Sequence, residues 1–476
     1  MQQRPVAPEF AADLEWVNTQ GPLTLQAQRG KIVLLYFWGI SQINSHHGLL
    51  DLRYFENKYD DALAVFGFSC PKFTAERSSA RLLKAVNRHF IRHPVANDVN
   101  FDMWKAYGVT AWPTYVVIDA EGQIARVLRG EGKRAELDEL IGRLIDDAVD
   151  RDLRVYDATV SVSRPEPRYT LRFPNKVLAT SDFLYISDTG NNRILECTHG
   201  GRVMRIFGSG NAGFWDGSKQ EAGFREPRGL AQLGDYLYVA DTGNHAIRRV
   251  RLLNGEVETV AGTGELGRVE GAMPMNPKQV PLASPWDLAA HGDRLYIALA
   301  GLHQVWMLDL TRNQLSVFAG SGQLNLKDGD PSDAAFAQPQ GLCLSARNLF
   351  VADSESSSIR SIRLADLRTS TITGSSCYKF GDREGAFGLA ELQNPRAVVA
   401  DESGSVLWVA DSYNDKIRVI DLRAQTVTTL NVGFSFSEPS GICRFADKLF
   451  VADTNAHHVV EIDLRSGRVE PVAVVD

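Results

Sequence analysis

The sequence has few cysteines for its length and no long apolar run. Its 476 residues include five cysteines, at an odd count and without metal-ligand spacing: Cys70, Cys197, Cys343, Cys377 and Cys443. They fit scattered reduced thiols better than a disulfide framework or a zinc site. The longest apolar run, residues 32–40, reaches about half of the ~20 residues that a membrane-spanning helix needs. We therefore expect no transmembrane helix and no membrane partner.

The sequence as written is not expected to be a secretory precursor, and it has no strong charge of either sign. Residues 1–10 contain no apolar segment of the kind that a signal peptide carries. With 51 Lys+Arg against 58 Asp+Glu, the net charge is −7, and this acidic excess argues against a nucleic acid as the main partner. The composition, 44% hydrophobic and 23% charged, is that of an ordinary globular protein. A cytoplasmic protein of two to four domains is the expectation.

What the sequence does contain is an internal repeat in its second part. Short apolar runs that end in aspartate recur every 42 to 58 residues or so, with a weaker copy that ends in Leu299. The aspartates are Asp188, Asp241, Asp353, Asp411 and Asp453. With the weaker copy, the repeat has six units.

Each unit has the pattern of four antiparallel strands. A segment Pro-x-Gly/Ala/Asp-apolar, as in Pro227-Arg-Gly-Leu, opens the unit, and the aspartate run and two alternating strands follow. Six units of four strands predict a six-bladed β-propeller. Gly-rich connections such as 207–217 precede several units, and we expect them to rise together on one rim.

The repeat motif, Asp-Thr-Gly-Asn with Pro-x-Gly-Leu upstream, resembles NHL repeats over about residues 168–476. Cys343 and Cys443 take the same repeat position, which favours a small core residue. The aspartates could form a carboxylate ring around a metal ion. We favour a structural role in which each one caps its own turn, because the residue recurs at a strand end in every well-formed unit.

Residues 1–150 instead alternate strands and helices, as α/β domains do. The pattern predicts strands at 31–38, 62–69, 115–119 and 123–128, and helices at 45–59, 78–89 and 134–148. A strand ending Tyr36-Phe-Trp38 before a helix, and Trp112-Pro113 before a later strand, resemble the thioredoxin fold. That resemblance implies a cis peptide bond at Pro113.

Together the two parts resemble NHL-repeat-containing thioredoxin-like proteins. In that family the first strand runs into Phe-Trp-x-x-Cys-Cys-Ile-Asn-Cys, whereas this chain reads Phe-Trp-Gly-Ile-Ser-Gln-Ile-Asn-Ser from 37 to 45. The family's redox pair falls on Gln42 and Ser45, and Ser41 replaces the additional cysteine. Thiol–disulfide exchange needs a thiolate and a resolving sulfur. Thioredoxin-type activity is therefore not expected.

The remaining polar residues near this corner have ordinary interpretations. Ser45 is interpreted as the N-cap of the following helix rather than as a nucleophile. His46 and His47 are interpreted as first-turn surface residues rather than metal ligands, since no third ligand is evident. Cys70 is interpreted as a partly buried inert thiol, although a lone reactive thiol stays an alternative.

We thus expect a multi-domain α/β plus all-β protein: a degenerate thioredoxin-like domain (1–150), a linker (151–167) whose segment 155–162 reads as an edge strand, and a six-bladed propeller (168–476). The expected function is non-catalytic binding of a protein or peptide, with no cofactor and no nucleic acid. The candidate corner comprises Trp38, Ser41, Gln42, Ser45, Trp112 and Pro113. The alternatives are a metal-dependent lyase or hydrolase at the propeller channel, with calcium or zinc, and atypical thiol chemistry at Cys70.

Overall fold

The computed structural model describes residues 4–155, 167, 169–267 and 274–475. These residues form two units, Met1–Pro167 and Arg168–Asp476. The predicted edge strand falls outside the described residues except for Val155, whose N–H donates to the carbonyl of Gly30 at 3.2 Å. Within the described ranges, no helix combines the length and apolarity that crossing a bilayer requires.

The first unit is built on a six-stranded sheet in the order β1-β4-β3-β2-β5-β6. Its strands are β1 (Glu15–Val17), β2 (Ile32–Trp38), β3 (Leu63–Ser69), β4 (Val95–Asn97), β5 (Thr114–Ile118) and β6 (Ile124–Arg129). All seven residues of β2 are buried, because β2 lies between a parallel and an antiparallel neighbour and both sheet faces are covered. A strand buried on both faces reads as a continuous apolar run, as residues 32–38 do.

Four helices accompany this sheet: α1 (Ile43–Tyr59), α2 (Ser79–Arg88), α3 (Asp102–Ala106) and α4 (Arg134–Asp150). Alternate residues of β2 enter two different cores. Leu34, Tyr36 and Trp38 pack with residues of α1, α2 and α4, and the residues between them pack with residues around α3. The Trp112–Pro113 peptide bond is cis, so the implied cis-proline is confirmed.

The second unit consists of six sheets, each made of consecutive strands. Blades 1 to 3 contain β7 (Lys176–Ala179), β8 (Leu184–Asp188), β9 (Arg193–Cys197), β10 (Val203–Phe207); β11 (Pro227–Leu233), β12 (Tyr236–Asp241), β13 (Ala246–Arg251), β14 (Glu256–Ala261); and β15 (Pro285–His291), β16 (Arg294–Leu299), β17 (Gln304–Asp309), β18 (Gln314–Ala319).

Blades 4 to 6 follow the same plan, with one additional short strand in blade 5. They contain β19 (Pro339–Leu344), β20 (Asn348–Asp353), β21 (Ser358–Arg363), β22 (Thr369–Thr373); β23 (Gly385–Ala386), β24 (Ala397–Ala400), β25 (Val406–Asp411), β26 (Lys416–Asp421), β27 (Thr426–Thr429); and β28 (Pro439–Phe445), β29 (Lys448–Asp453), β30 (His458–Asp463), β31 (Val469–Pro471).

The innermost strand of each blade, which is β24 in blade 5, contacts the innermost strands of its neighbours, and β28 contacts β7. The ring is therefore closed, and the predicted six-bladed propeller is confirmed. The motif glycine is required at these contacts: a Cβ on Gly229, Gly341 or Gly441 would overlap backbone atoms of the next inner strand. Glycine permits the close approach of neighbouring strands.

The Gly-rich connections begin at the end of the sheets where the repeat aspartates lie, since Asp241 pairs with Ala246 and Ala261 pairs with Ile247. Described residues at the far end of each connection pair with the outermost strand of the blade that follows, at Gly217–Val257, Met275–Leu315, Gly329–Thr369 and Gly385–Val427. These connections cover outer strand edges, which would otherwise invite pairing with other chains.

Candidate functional site

The corner between β2 and α1 holds the positions of the redox pair. Gln42 is the N-cap residue of α1, and its side chain makes no capping hydrogen bond. Ser45 lies in the first turn, is fully buried, and its Oγ accepts the backbone N–H of Gly39 at 3.4 Å. The prediction that Ser45 is the N-cap is wrong, because α1 begins at Ile43, two residues earlier than the apolar pattern indicated.

A buried carboxylate, Glu76, ties this corner to the segment after β3. Its Oε1 accepts the N–H of Ser41 at 2.8 Å, and its Oε2 accepts the N–H groups of Lys72 and Phe73 at 2.8 and 3.1 Å. A carboxylate that receives several backbone N–H bonds fixes the loops that supply them. Sequence reasoning missed Glu76, since no spacing links it to residue 41.

Two buried tyrosines contact the beginning of α1 and hold it in place. The Tyr36 hydroxyl donates to the carbonyl of Ser45 at 2.6 Å, and the rings of Tyr36 and Tyr115 lie 4.8 Å apart. A Cβ on Gly48 would overlap both hydroxyl groups, so glycine is required there. Burial raises the pKa of Tyr36 and of Tyr115, which keeps both phenols neutral.

Most of the predicted corner is inside the fold. Trp38, Ser41, Gln42, Ser45 and Pro113 are buried, and Trp112 alone among the six candidates is partly exposed. Its indole Nε1 lies near Gly39, 3.7 Å from where a Cβ on that glycine would be. The Trp112 ring packs at 4.9 Å against Trp104, which is also partly exposed. The accessible part of the corner is therefore this tryptophan pair.

The two histidines near the start of α1 are partly exposed and also make polar contacts. His46 Nε2 lies 2.8 Å from the carbonyl oxygen of Ile40, and the His46 ring packs at 4.3 Å against His89. The side chain of His47 is 7% exposed, and its Nδ1 lies 2.5 Å from Glu131.

Cys70 follows β3 and is fully buried. Its Sγ lies 3.7 Å from both the carbonyl of Phe68 and the Oδ2 of Asp98. Burial and the neighbouring Asp98 carboxylate raise the pKa of the Cys70 thiol well above its ordinary value. The protonated thiol is a poor nucleophile.

The repeat aspartates make no side-chain cap to the backbone of their own turns. The backbone N–H that each one binds belongs to a segment earlier in the chain. In Asp241, Oδ1 accepts the N–H of Arg225, and Oδ2 accepts from the side chains of Asn244 and Arg248 at 2.8 and 2.9 Å. The other four aspartates likewise accept a backbone N–H from the segment before their inner strand. The prediction that each aspartate caps the backbone amides of its own turn is therefore wrong, because the backbone N–H that it binds belongs to the segment before the inner strand.

Blades 2, 4 and 5 add a fully buried arginine seven residues after the aspartate: Arg248, Arg360 and Arg418. Each also binds an aspartate of the Gly-rich connection, as Arg248 binds Asp216 at 2.7 Å. Burial raises the pKa of Asp241 to about 6, and Arg248 opposes that shift. Sequence reasoning missed these arginines, although their spacing of seven residues from each aspartate is visible in the sequence.

Blade 3 replaces both members of this ion pair together. Leu299 stands for the aspartate, and Trp306, at the position of the arginine, is 1% exposed. The indole N–H of Trp306 donates to Gln304 at 2.9 Å. An apolar pair of similar volume can replace a buried ion pair without leaving a charge unpaired.

An ion pair joins the inner strands of two blades that are not neighbours in the ring. Lys176 of blade 1 donates to Asp287 of blade 3 at 2.7 Å, and both residues are buried. A cavity of about 240 Å³ lies within the inner strands of all six blades, and its lining includes Lys176, Cys343 and Cys443. Both thiols are shielded, and desolvation raises their pKa, to about 11 for Cys343. In the part of the chain that the structure describes, no three His, Cys, Asp or Glu side chains are grouped as metal ligands.

Both units of the chain are similar to known proteins. Residues 30–124 match a thioredoxin-like family model. Over 98% of its length the chain is 36% identical to human NHL repeat-containing protein 2, of which the match covers 71%. It is 35% identical over 97% of its length to Suppressor of Quenching 1 of Arabidopsis thaliana, covering 47% of that protein. A solved thioredoxin-like superfamily protein, SPOA0173, matches 30% of the chain and 96% of its own, at 23% identity and a TM-score of 0.28. The chain belongs to the family of NHL repeat-containing protein 2, with a thioredoxin-like unit and a six-bladed propeller.

Proposed function

We propose that this chain is a redox-inactive binding module that holds a protein or peptide partner without chemical turnover. The observation that carries the proposal is the identity and burial of the pair at 42 and 45. Glutamine and serine supply no thiolate, and the Ser45 hydroxyl is committed to the N–H of Gly39. The corner keeps its thioredoxin-like backbone while the reactive sulfurs are absent.

The partner contact that we propose is the Trp104–Trp112 pair. Aromatic side chains that are partly exposed supply much of the energy of protein interfaces. Trp112 precedes the cis-proline and lies beside Gly39, so a bound peptide would meet the corner at its indole. Because Ser41, Gln42 and Ser45 are buried, they would shape this surface from beneath rather than contact the partner.

The proposal includes a cytoplasmic setting without a cofactor, nucleic acid or membrane. The five cysteines are all free, which suits a reducing compartment. Asp287, a buried carboxylate on the inner strand of blade 3, is already bound to Lys176, and this pairing weighs against a metal-dependent reaction in the channel.

Thiol chemistry at Cys70 is tested by exposing the native full chain to oxidised glutathione and mapping adducts by peptide mass spectrometry. We expect no adduct at Cys70 in the folded chain, because its Sγ is buried and protonated, and a full adduct once guanidinium unfolds the protein. An adduct on Cys70 under native conditions would instead support the atypical redox function.

A further inference from the structure

One position of the propeller repeat connects each blade to the next. The residue four places after each repeat aspartate, or after Leu299, has φ between 51° and 60° and follows the short turn. These residues are Asn192, His245, His303, Ser357, Asp415 and His457. All six have side chains that can accept a hydrogen bond.

We call the contact between two neighbouring blades a seam. In five of the six seams the structure shows the hydrogen bond that this position makes. The donor is the backbone N–H of the residue just before the proline that begins or closely precedes the inner strand of the next blade. The bonds are Glu226 N–H to Asn192 Oδ1, 3.0 Å; Ser284 to His245 Nδ1, 3.1 Å; Asn394 to Ser357 Oγ, 3.2 Å; Glu438 to Asp415 Oδ1, 2.7 Å; and Phe173 to His457 Nδ1, 3.1 Å. The last of these bonds joins blade 6 to blade 1 and closes the ring.

Histidine differs from asparagine at this position in one respect. Neutral imidazole has one nitrogen that accepts, whereas in the imidazolium both nitrogens donate. The bond from Phe173 therefore exists only while His457 is neutral. His457 is 5% exposed, and its ring lies between those of Tyr169 and Phe173, at 4.4 and 4.3 Å.

We propose that His457 makes the ring-closing seam of the propeller acid-sensitive. Protonation of Nδ1 converts the acceptor into a donor that faces the Phe173 N–H, so the seam bond is lost. The ordinary pKa of imidazole is about 6.5, so a mildly acidic environment is enough to protonate it.

Other titratable groups lie around this seam, and they act differently. Tyr169 is in ring contact with His457. In the same turn His458 Nε2 lies 3.2 Å from Asp453, so protonation of His458 strengthens that contact rather than weakening it. Glu438, before the last blade, is bound to Arg396 at 2.6 Å and to Asn455 at 2.8 Å.

The test is amide hydrogen exchange of the full chain, measured from about pH 7.5 to about pH 5.5. The protection factor of the Phe173 amide is compared with that of Glu226, which makes the equivalent bond to Asn192. Below pH 6.5 or so we expect the protection factor of Phe173, divided by that of Glu226, to fall by up to about tenfold per pH unit, because opening of the seam takes up one proton. A ratio that stays constant across this range would overturn the proposal.

The matched variants are His457→Asn and His458→Asn. Asparagine occupies this position in blade 1 at a similar φ, so His457→Asn keeps an acceptor that does not titrate. It is expected to remove the pH dependence of the ratio, whereas His458→Asn is expected to retain it. Persistence of the pH dependence in His457→Asn would contradict the assignment to this residue. If His457→Asn fails to fold, the wild-type ratio decides alone.

Discussion

Replacing Arg248 with methionine is expected to lower the free energy of unfolding of the propeller by about 3–5 kcal/mol. The substitution removes the guanidinium but leaves the Asp241 carboxylate, which is 0% exposed, without its ionic partner. An unpaired buried charge costs far more than the lost attraction of an exposed pair. The measurement is urea denaturation of the full chain, followed by circular dichroism.

The neighbouring residue supplies a matched control. Arg249 lies on the same strand, but its side chain is 30% exposed and pairs with Glu258 at 2.7 Å. Arg249→Met is expected to cost no more than about 1 kcal/mol. The double variant Asp241→Asn/Arg248→Met is expected to be more stable than Arg248→Met, since it removes the unpaired charge while an oxygen remains for the N–H of Arg225. Equal losses for Arg248→Met and Arg249→Met would contradict this account.

The second large effect is expected at the thioredoxin-like corner. The double substitution Gln42→Cys/Ser45→Cys is expected to form a disulfide on oxidation and to gain thiol–disulfide exchange. Position 42 is the N-cap of α1 and position 45 lies in its first turn, the spacing at which a helix N-terminus stabilises a thiolate. Glu76 and Tyr36 hold both ends of this segment in place.

Intact mass spectrometry measures the loss of two hydrogens on oxidation, and titration with glutathione buffers gives the equilibrium with the dithiol. The single variant Ser45→Cys is the control, since it has no partner at position 42 and cannot close the bond. Failure of the double variant to form the disulfide while remaining folded would mean that the corner no longer has the geometry of a redox pair.

Both folds could be predicted from the sequence because their signals are local and repeated. The run that ends in aspartate recurs in five units, with a weaker copy that ends in Leu299 in the sixth. The glycine of the Pro-x-Gly segments reports a close contact between inner strands, as Gly229 does. Likewise, the apolar run at 32–38 marks the central strand, because burial on both faces leaves no polar alternation.

The interactions that stabilise the candidate site could not be predicted in the same way. Glu76 binds the N–H of a residue 35 positions away, and Arg248 binds Asp216 32 positions away. No repeat marks the first contact, since it depends on how loops meet after folding. The second recurs in blade 4, where Asp328 precedes Arg360 by 32 positions, but blade 5 uses Asp382, 36 positions before Arg418. The start of α1 was missed for a related reason: Gln42 caps without a side-chain bond, so the sequence lacks the usual signal of Ser, Thr, Asp or Asn.

The claim at the centre of this account is that the thioredoxin-like unit binds without exchanging disulfides. Reduction of insulin disulfides by the full chain, with dithiothreitol as the reductant, tests it most directly, and Gln42→Cys/Ser45→Cys serves as the positive control. The account predicts that the wild-type chain gives no rate above the uncatalysed reaction while the double variant does. A wild-type rate above the background that persists in Cys70→Ala would contradict it.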